Sequence, residues 1–182
     1  AMATVLGQVG WHTAVVEGGY RSWRRKVVAQ LHASVPLPHR FILVDGPTGV
    51  GKTALLGALA DRGEQVVDLE ALAGHRGSLF GETGAGQPTQ KLFESRLHDA
   101  LERLDQARPL YLEAESSRIG ALAVPASLWS AMRIAPRVRL EAPIGERVAR
   151  VLADYAWLQE DRSRLVALIR RLPTHHSRAD RE

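Results

Sequence analysis

The sequence predicts a three-layer α/β fold with a mainly parallel sheet. Short apolar runs of strand length alternate with amphipathic segments of helix length. The first of these strands, residues 41–44, leads through a glycine-rich turn directly into an amphipathic helix at residues 53–62. Strands that alternate with helices pair in parallel through crossover connections, so we expect helices on both faces of the sheet.

The segment before this alternating region predicts one strand and one helix. Residues 13–16 are rich in β-branched side chains, a glycine pair then turns the chain, and residues 20–31 have the pattern of an amphipathic basic helix. Pro36 and Pro38 interrupt regular structure after that helix, as a linker does.

The remaining elements follow the same alternation to the end of the chain. A second strand is predicted at residues 66–70, a glycine-rich loop at 74–86 and a strongly amphipathic helix at 90–107. The last elements are strands at 110–113 and 138–141, helices at 144–158 and 161–171, and a polar tail from residue 173 that we expect to be disordered.

Composition limits the class of protein. The chain has 182 residues, of which 45% are hydrophobic, which is enough for one globular domain with a real core. No apolar run approaches the ~20 residues of a membrane span, and the start of the chain resembles a cloning scar, not a signal peptide. We therefore expect a cytoplasmic protein without a membrane partner, expressed as a fragment. Because cysteine is absent, disulfides, thiolate nucleophiles and cysteine-ligated zinc are excluded for this chain.

The basic residues are unusual in type more than in number. The formal net charge is +4, and only three of the 24 basic residues are lysine. Arginine binds phosphate oxygens in pairs and stacks on bases, which suits an RNA partner. A GC-rich genome also favours arginine codons, and charge alone favours that second explanation.

One motif carries most of the functional information. It matches the pattern G-x-x-x-x-G-K-[ST], in which glycines turn successive N–H groups inward and the following helix directs its positive end at the same point. Lysine supplies a mobile charge for an outer phosphate, and the hydroxyl of Thr53 is suitably placed for Mg²⁺. The motif, which predicts a P-loop NTPase-like fold and a phosphate site, consists of Gly46, Pro47, Thr48, Gly49, Val50, Gly51, Lys52 and Thr53.

Four carboxylates are predicted at strand ends, where a doubly wound sheet forms its ligand crevice. They are Asp68, Glu70, Glu113 and Glu115. A single carboxylate at a strand end is usually a solvated turn residue, but four that face one crevice favour at least one functional group. Asp68 and Glu115 are the foremost candidates for a metal ligand or a base.

Several cationic side chains are further candidates. His75 and Arg76 follow the second strand, and Arg118 follows Glu115 closely, so each is either an anion clamp or an exposed loop residue. Arg147 and Arg150 share one face of the helix after the fourth strand, where they either reach the phosphates or only face solvent. The pair His175-His176 is interpreted as part of the tail, not as a metal site.

A set of segments occurs here in the order that a known family shows. It consists of the P-loop and of residues 67–70 with 72–73, 75–78 with 80–81, 87–90 with 93–94, 113–120, and 147–148 with 154–155. Together these segments resemble the tRNA 2-selenouridine synthases. Residues 16–25 also resemble the end of the rhodanese domain that precedes the P-loop domain in that family. The resemblance implies a rhodanese remnant and linker at residues 1–36, a P-loop domain at 37–172 and a tail at 173–182.

The resemblance implies a transferase that modifies the anticodon stem-loop of tRNA. Such enzymes geranylate wobble 2-thiouridine with geranyl diphosphate and then replace the geranylated sulfur with selenium from selenophosphate. The P-loop would hold the diphosphate without any ATP requirement, with Mg²⁺ at Thr53 as an option, and a selenophosphate-supplying enzyme is a candidate partner. Leu79 and Phe80 would contact the geranyl tail or else pack in the core. The predicted catalytic residues are Lys52, Asp68, Glu115, Arg118, His75 and Arg76.

The same family places its catalytic cysteine just before the segment with which this chain begins. A chain without cysteine should therefore not complete selenation. Two other functions remain open on the residues alone: a small-molecule kinase or NTPase that uses ATP or GTP with Mg²⁺, and an RNA-docking module whose P-loop captures a tRNA phosphate. Two basic clusters are candidate tRNA contacts or solvated helix faces: Arg21, Arg24, Arg25 and Lys26, and Arg162, Arg164, Arg170 and Arg171.

Overall fold

A computed structural model describes residues 2–15, 17–75 and 86–156, together with the single positions 163, 166 and 170. Its helices are α1 (Met2–Gln8), α2 (Gly19–Leu31), α3 (Lys52–Asp61), α4 (Leu69–Ala73), α5 (Gln90–Glu102), α6 (Ala126–Ile134) and α7 (Ile144–Asp154). Its strands are β1 (Arg40–Asp45), β2 (Gln65–Val67), β3 (Pro109–Glu113), β4 (Arg118–Ile119), β5 (Leu122–Ala123) and β6 (Arg137–Arg139).

The main sheet has four parallel strands in the order β2-β3-β1-β6. The predicted α/β class with a mainly parallel sheet is confirmed. Strand β3 lies directly beside β1, with Glu113 in register with Val44. The carboxylate at the end of β3 is therefore brought next to the glycine-rich turn that follows β1, which is where a parallel sheet places its ligand crevice.

The core lies between the sheet and helices α2, α5 and α6. Leu110 and Leu112 of β3 are fully buried in one cluster with Phe93 of α5 and with Val27 and Leu31 of α2. Burial of such side chains contributes roughly 1.5–3 kcal/mol each. Helix α2 thus packs into the core of the P-loop fold, although the predicted boundary at residue 36 places it in a preceding unit. That boundary stays a prediction.

The sequence prediction was wrong about the first segment. Residues 2–8 form a helix, and Thr13 to Val15 are exposed and outside any strand, because no strand among the described residues pairs with them. The second strand ends at Val67 instead of residue 70, because the side chain of Asp68 accepts a hydrogen bond from the backbone N–H of Ala71 (2.8 Å) and caps helix α4.

Several elements were shorter than predicted or were missed. Helix α5 ends at Glu102 and β6 ends at Arg139, while the antiparallel pair β4–β5 and helix α6 had no prediction. The predicted helix at 161–171, the tail with His175 and His176, and most of the loop at 74–86 lie outside the described residues. In the part of the chain that the structure describes, no helix is both long enough and apolar enough to cross a membrane.

Candidate anion-binding site

The P-loop connects the end of β1 to the start of α3. Gly49 and Gly51 have φ angles of 79° and 100°, a region that residues with a Cβ rarely adopt. Gly51 immediately precedes Lys52, the first residue of α3, so the unpaired N–H groups and the positive end of the helix meet at the loop. These two glycines therefore have the backbone conformation that the predicted turn needs, and anion binding by the loop stays a prediction.

Lys52 is held in place by two oxygen atoms. Its Nζ donates a hydrogen bond to the carbonyl oxygen of Gly46 (2.9 Å) and lies 3.3 Å from Oε1 of Glu113. The other oxygen of Glu113 accepts a hydrogen bond from the hydroxyl of Thr53 (3.4 Å). Glu113 thus contacts both side chains of the motif that are predicted to act on phosphates or on a metal ion, so an anion that bound to Lys52 would compete with Glu113 for it.

A cavity of about 1040 Å³ opens in front of the P-loop. Its described walls come from the P-loop, from the ends of β2 and β3, from α4 and from α7. The structure places these predicted site residues along it: Thr48, Gly49, Gly51, Lys52, Thr53, Asp68, His75 and Glu115. The other loop residues support the turn from behind, where Gly46 donates its N–H to Asp45 (2.7 Å), and Val50 N donates to the Pro47 carbonyl (3.2 Å).

Three carboxylates face one another across this cavity. Glu70, Glu113 and Glu115 each have an oxygen within 4.8 Å of the others. Burial, followed by the charges of Glu113 and Glu115, raises the pKa of Glu70 to about 8, and burial also raises the pKa of Glu115. At neutral pH Glu70 therefore holds a proton, and the trio has the oxygen ligands that could alternatively hold a hard cation.

Asp68 and His75 line the cavity and are both held by contacts with neighbouring backbone. Asp68 caps α4 as described above while lining the cavity. His75 is buried to all but 8%, and its Nδ1 has no hydrogen-bond partner among the described residues. A Cβ added to Gly120 would lie 2.8 Å from Cδ2 of His75 and 2.2 Å from Oε1 of Gln87, so the β4–β5 turn packs directly on the histidine.

The β4–β5 hairpin is attached to the domain by two glutamines. Gln87 donates to the carbonyl of Ile119 (2.9 Å) and accepts from the N–H of Ala121 (2.7 Å), and Gln90 binds the N–H and carbonyl of Ala123. Gln87 and Gln90, around the start of α5, therefore position the hairpin. The family resemblance included both residues, but the sequence predicted no structural role for them.

The structure does not bring Arg118 to the cavity. Its guanidinium donates to the carbonyl of Ala121 (2.9 Å) within the hairpin, and the residue does not line the cavity. Arg76, Leu79 and Phe80 lie outside the described residues. The catalytic roles of Arg118 and Arg76 stay predictions.

Helix α7 covers the outer side of the P-loop. The Nε atom of Arg147 donates to the carbonyl of Thr48 (3.0 Å), and a Cβ on Gly49 would lie 2.4 Å from the carbonyl oxygen of Arg147. Only glycine permits this approach of helix and loop. Arg150, one turn further along, lines the cavity. The sequence predicted that both arginines lie on one face of the helix. It did not predict that Arg147 binds the P-loop backbone while Arg150 lines the cavity.

The first basic cluster is partly used inside the protein. Arg24 and His32 bind the buried carboxylate of Glu94, and Lys26 pairs with Glu102 at 2.7 Å. Burial alone would raise the pKa of Glu94, but hydrogen bonds from Arg24, Gln90 and His32 outweigh it and lower that pKa. Arg21 and Arg25 stay exposed, as does Arg170, whereas Arg162, Arg164 and Arg171 lie outside the described residues.

Comparison with known proteins identifies the family. The family model described as the tRNA 2-selenouridine synthase AAA domain matches residues 39–167. The chain belongs to this family. The matched region contains the P-loop, the three cavity glutamates and helix α7. All described residues that line the cavity therefore lie within the tRNA 2-selenouridine synthase AAA domain.

Curated relatives agree with this assignment. The tRNA 2-selenouridine synthase of Marinobacter nauticus is 41% identical over 143 residues, which cover 78% of this chain and 38% of that protein. The corresponding protein of Hahella chejuensis is 43% identical over 143 residues (77% and 36%), and that of Shewanella loihica is 38% identical over 152 residues (82% and 40%). The chain therefore spans about two fifths of the length of these relatives.

Proposed function

We propose that this domain binds the diphosphate group of geranyl diphosphate at its P-loop and serves in the geranylation of wobble 2-thiouridine in tRNA. In the complete enzyme, selenium from selenophosphate would then replace the geranylated sulfur. The observation that carries the proposal is the P-loop of a chain in this family, with Lys52 and Glu113 facing a cavity of about 1040 Å³. A cavity of that size accommodates a ligand much larger than phosphate.

The proposed reaction is a substitution at carbon 1 of the geranyl group. The sulfur of 2-thiouridine forms a bond to that carbon, the C–O bond breaks, and its electron pair leaves with pyrophosphate. Lys52 and the loop N–H groups would stabilise the negative charge that develops on the leaving oxygen. This role needs no nucleotide, which is why we expect no ATP requirement.

The thiouridine base must lose its N3 proton when the sulfur is alkylated. We assign this proton to the Glu70–Glu115 pair, which lines the same cavity. A carboxylate with a raised pKa is a stronger base near neutral pH than an ordinary glutamate. On the opposite wall, Val151, Ala153 and Tyr155 offer apolar surface for the geranyl chain.

Isothermal titration tests the ligand. The 182-residue chain should bind geranyl diphosphate and not geraniol, which lacks the anion, and it should bind ATP and GTP more weakly and without turnover. Each titration is made with and without Mg²⁺, because Thr53 and Glu113 are suited to a metal ion. A clear preference for a nucleotide, accompanied by its hydrolysis, contradicts the proposal.

Lys52→Ala tests the chemistry. The substitution should abolish geranylation of a 2-thiouridine-containing anticodon stem-loop, measured by mass spectrometry, because the leaving diphosphate loses its nearest ammonium group. Lys91→Ala, a lysine outside the cavity, is the matched control and should leave product formation unchanged. Unchanged product from Lys52→Ala would remove the P-loop from the reaction.

An NTPase or kinase is the second candidate function, and one observation favours it. Glu113 ends the strand beside β1 and contacts both Lys52 and Thr53, which is the arrangement that P-loop enzymes use for Mg²⁺ and nucleotide phosphates. It predicts Mg²⁺-dependent release of phosphate from ATP or GTP that is lost in Glu113→Gln. Neither candidate assigns selenium transfer to this chain, because the chain contains no cysteine.

A further inference from the structure

Acidic side chains outnumber cationic ones along the described walls of the cavity. Among the described residues that line it, only Lys52 and Arg150 carry a permanent positive charge. Lys52 is itself paired with Glu113 at 3.3 Å. The acidic side chains along the same walls include Asp68, Glu113 and Glu115, which are charged at neutral pH, and Glu70, which holds a proton there. A diphosphate ester that bound only to Lys52 would therefore enter a net negative environment, which opposes binding.

Arg150 lies where it can offset this charge. A Cβ added to Gly51 would be 3.2 Å from both Cζ and Nη1 of Arg150, so the guanidinium rests against the loop residue that immediately precedes Lys52. Any side chain at position 51 would occupy part of the space that the guanidinium now uses. The side chain is exposed, and it makes no hydrogen bond or ion pair with any residue that the structure describes.

Arg147, one turn earlier on the same helix, instead binds the P-loop backbone. The Nε atom of Arg147 is engaged by the carbonyl of Thr48 at 3.0 Å, and its own backbone oxygen packs on Gly49. Arg147 therefore fixes α7 on the P-loop, and this contact aligns the next turn so that Arg150 faces the cavity. Arg147 thus holds α7 on the P-loop. Arg150, on the same face of the helix, keeps its guanidinium N–H groups available for a ligand.

We propose that Arg150 is the second cation of the P-loop site and binds the diphosphate together with Lys52 from the α7 side. This inference rests on the proposed function. It predicts that the domain prefers a diphosphate to a single phosphate because the guanidinium of Arg150 reaches the ligand from outside the loop. A guanidinium can donate two parallel hydrogen bonds to phosphoryl oxygens, which a loop N–H or an ammonium group cannot reproduce.

Titration with inorganic pyrophosphate and with inorganic phosphate tests the assignment on the 182-residue chain. Arg150→Gln should weaken pyrophosphate binding roughly 10- to 100-fold while affecting phosphate much less. Arg150→Lys should recover part of that loss, because it restores charge without the paired donors. Arg133→Gln, an exposed arginine of α6 that does not line the cavity, is the matched control and should bind as the unaltered chain does.

The outcomes separate this inference from the function on which it rests. If the unaltered chain binds pyrophosphate and Arg150→Gln binds it equally well, the role of Arg150 is overturned and the P-loop site stands. If the unaltered chain binds no diphosphate, both fail. Thermal unfolding is measured for each variant, and if Arg150→Gln also lowers the midpoint, Arg150→Lys decides: partial recovery of affinity supports the assignment, and none overturns it.

Discussion

The two sides of the cavity are built in different ways. We call the side formed by β1, β3 and α3 the sheet wall, and the side formed by α7 the helix wall. The sheet wall continues into the core, where Leu43, Leu110 and Leu112 are at most 1% exposed. The helix wall has no buried residue, and Ile144, Val148 and Leu152 are 75%, 51% and 56% exposed.

This difference indicates what each wall contributes. The groups that must be precisely placed, Lys52, Thr53 and Glu113, belong to the sheet wall, where close packing fixes the backbone before any ligand arrives. The helix wall is held by its contacts with Gly49 and Thr48 and presents Arg150. We therefore expect changes in the sheet wall to cost stability and changes in the helix wall to cost affinity.

The largest expected effect is on stability. Leu112→Ala should lower the free energy of unfolding by about 2–5 kcal/mol, because it leaves a cavity in the closed core of the sheet wall. Leu152→Ala removes the same atoms from the exposed face of α7 and should change that free energy by less than about 0.5 kcal/mol. Urea unfolding of both variants measures the contrast, and equal losses would show that the helix wall is as well packed as the sheet wall.

The second effect is on affinity. Gly49→Ala combines a left-handed backbone with a Cβ 2.4 Å from the carbonyl of Arg147, so α7 must move away from the P-loop. Pyrophosphate binding should weaken about 10- to 100-fold, the loss expected for charge-assisted hydrogen bonds that are no longer formed. Titration calorimetry gives the affinity, and differential scanning calorimetry reports whether the fold is retained.

A matched glycine isolates the cause of that loss. Gly63 has nearly the same φ, +80°, but an added Cβ there would meet no atom within 4 Å. Gly63→Ala thus introduces the same backbone strain, about 1–2 kcal/mol, without the collision. It should lower stability and leave pyrophosphate affinity intact. If both variants lost affinity equally, backbone strain and not the contact with α7 would be responsible.

The sheet wall was the more predictable of the two. The spacing of the P-loop motif predicts the start of α3 to within one residue, and the alternation of apolar runs predicts β1 and β3, because both patterns depend on nearby residues. The family resemblance, confirmed by comparison, added the identity of the domain. The local patterns and the family resemblance can both be recognised without knowing which distant residues are in contact.

What escaped prediction depends on contacts between distant segments. Glu70 was expected at a strand end, but the cap at Asp68 begins α4 and turns Glu70 toward Glu115, from a different part of the chain. The strands of the β4–β5 hairpin are too short for a periodic pattern, and Gln87 and Gln90 hold them in place. The separation of Arg147 from Arg150 likewise follows from packing against Gly49, which helical spacing alone does not reveal.

The smallest expected effect lies in the protonation of Glu70, which belongs to α4 and lies beside Glu113 of the sheet wall. The pKa of Glu70 is raised to about 8 in the folded state from an ordinary value of 4.5, so the folded chain retains a proton that the unfolded chain releases. Stability is therefore highest below pH 4.5 with respect to this group and declines as the pH rises toward 8. Glu115 contributes in the same direction, because its pKa is also raised.

Glu70→Gln removes this titration without changing the shape of the side chain. The variant and the unaltered chain should have similar stability near pH 5, while the variant should be more stable near pH 8.5 by on the order of 1 kcal/mol, a value reduced for the partial solvent screening of a half-buried group. Urea unfolding in EDTA at both pH values measures the difference. Glu146→Gln, an exposed glutamate of α7 that does not line the cavity, is the control. If the Glu70→Gln and unaltered curves run parallel across this range, the pKa of Glu70 is not raised, and Glu70 is no stronger a base in the proposed reaction than an ordinary glutamate.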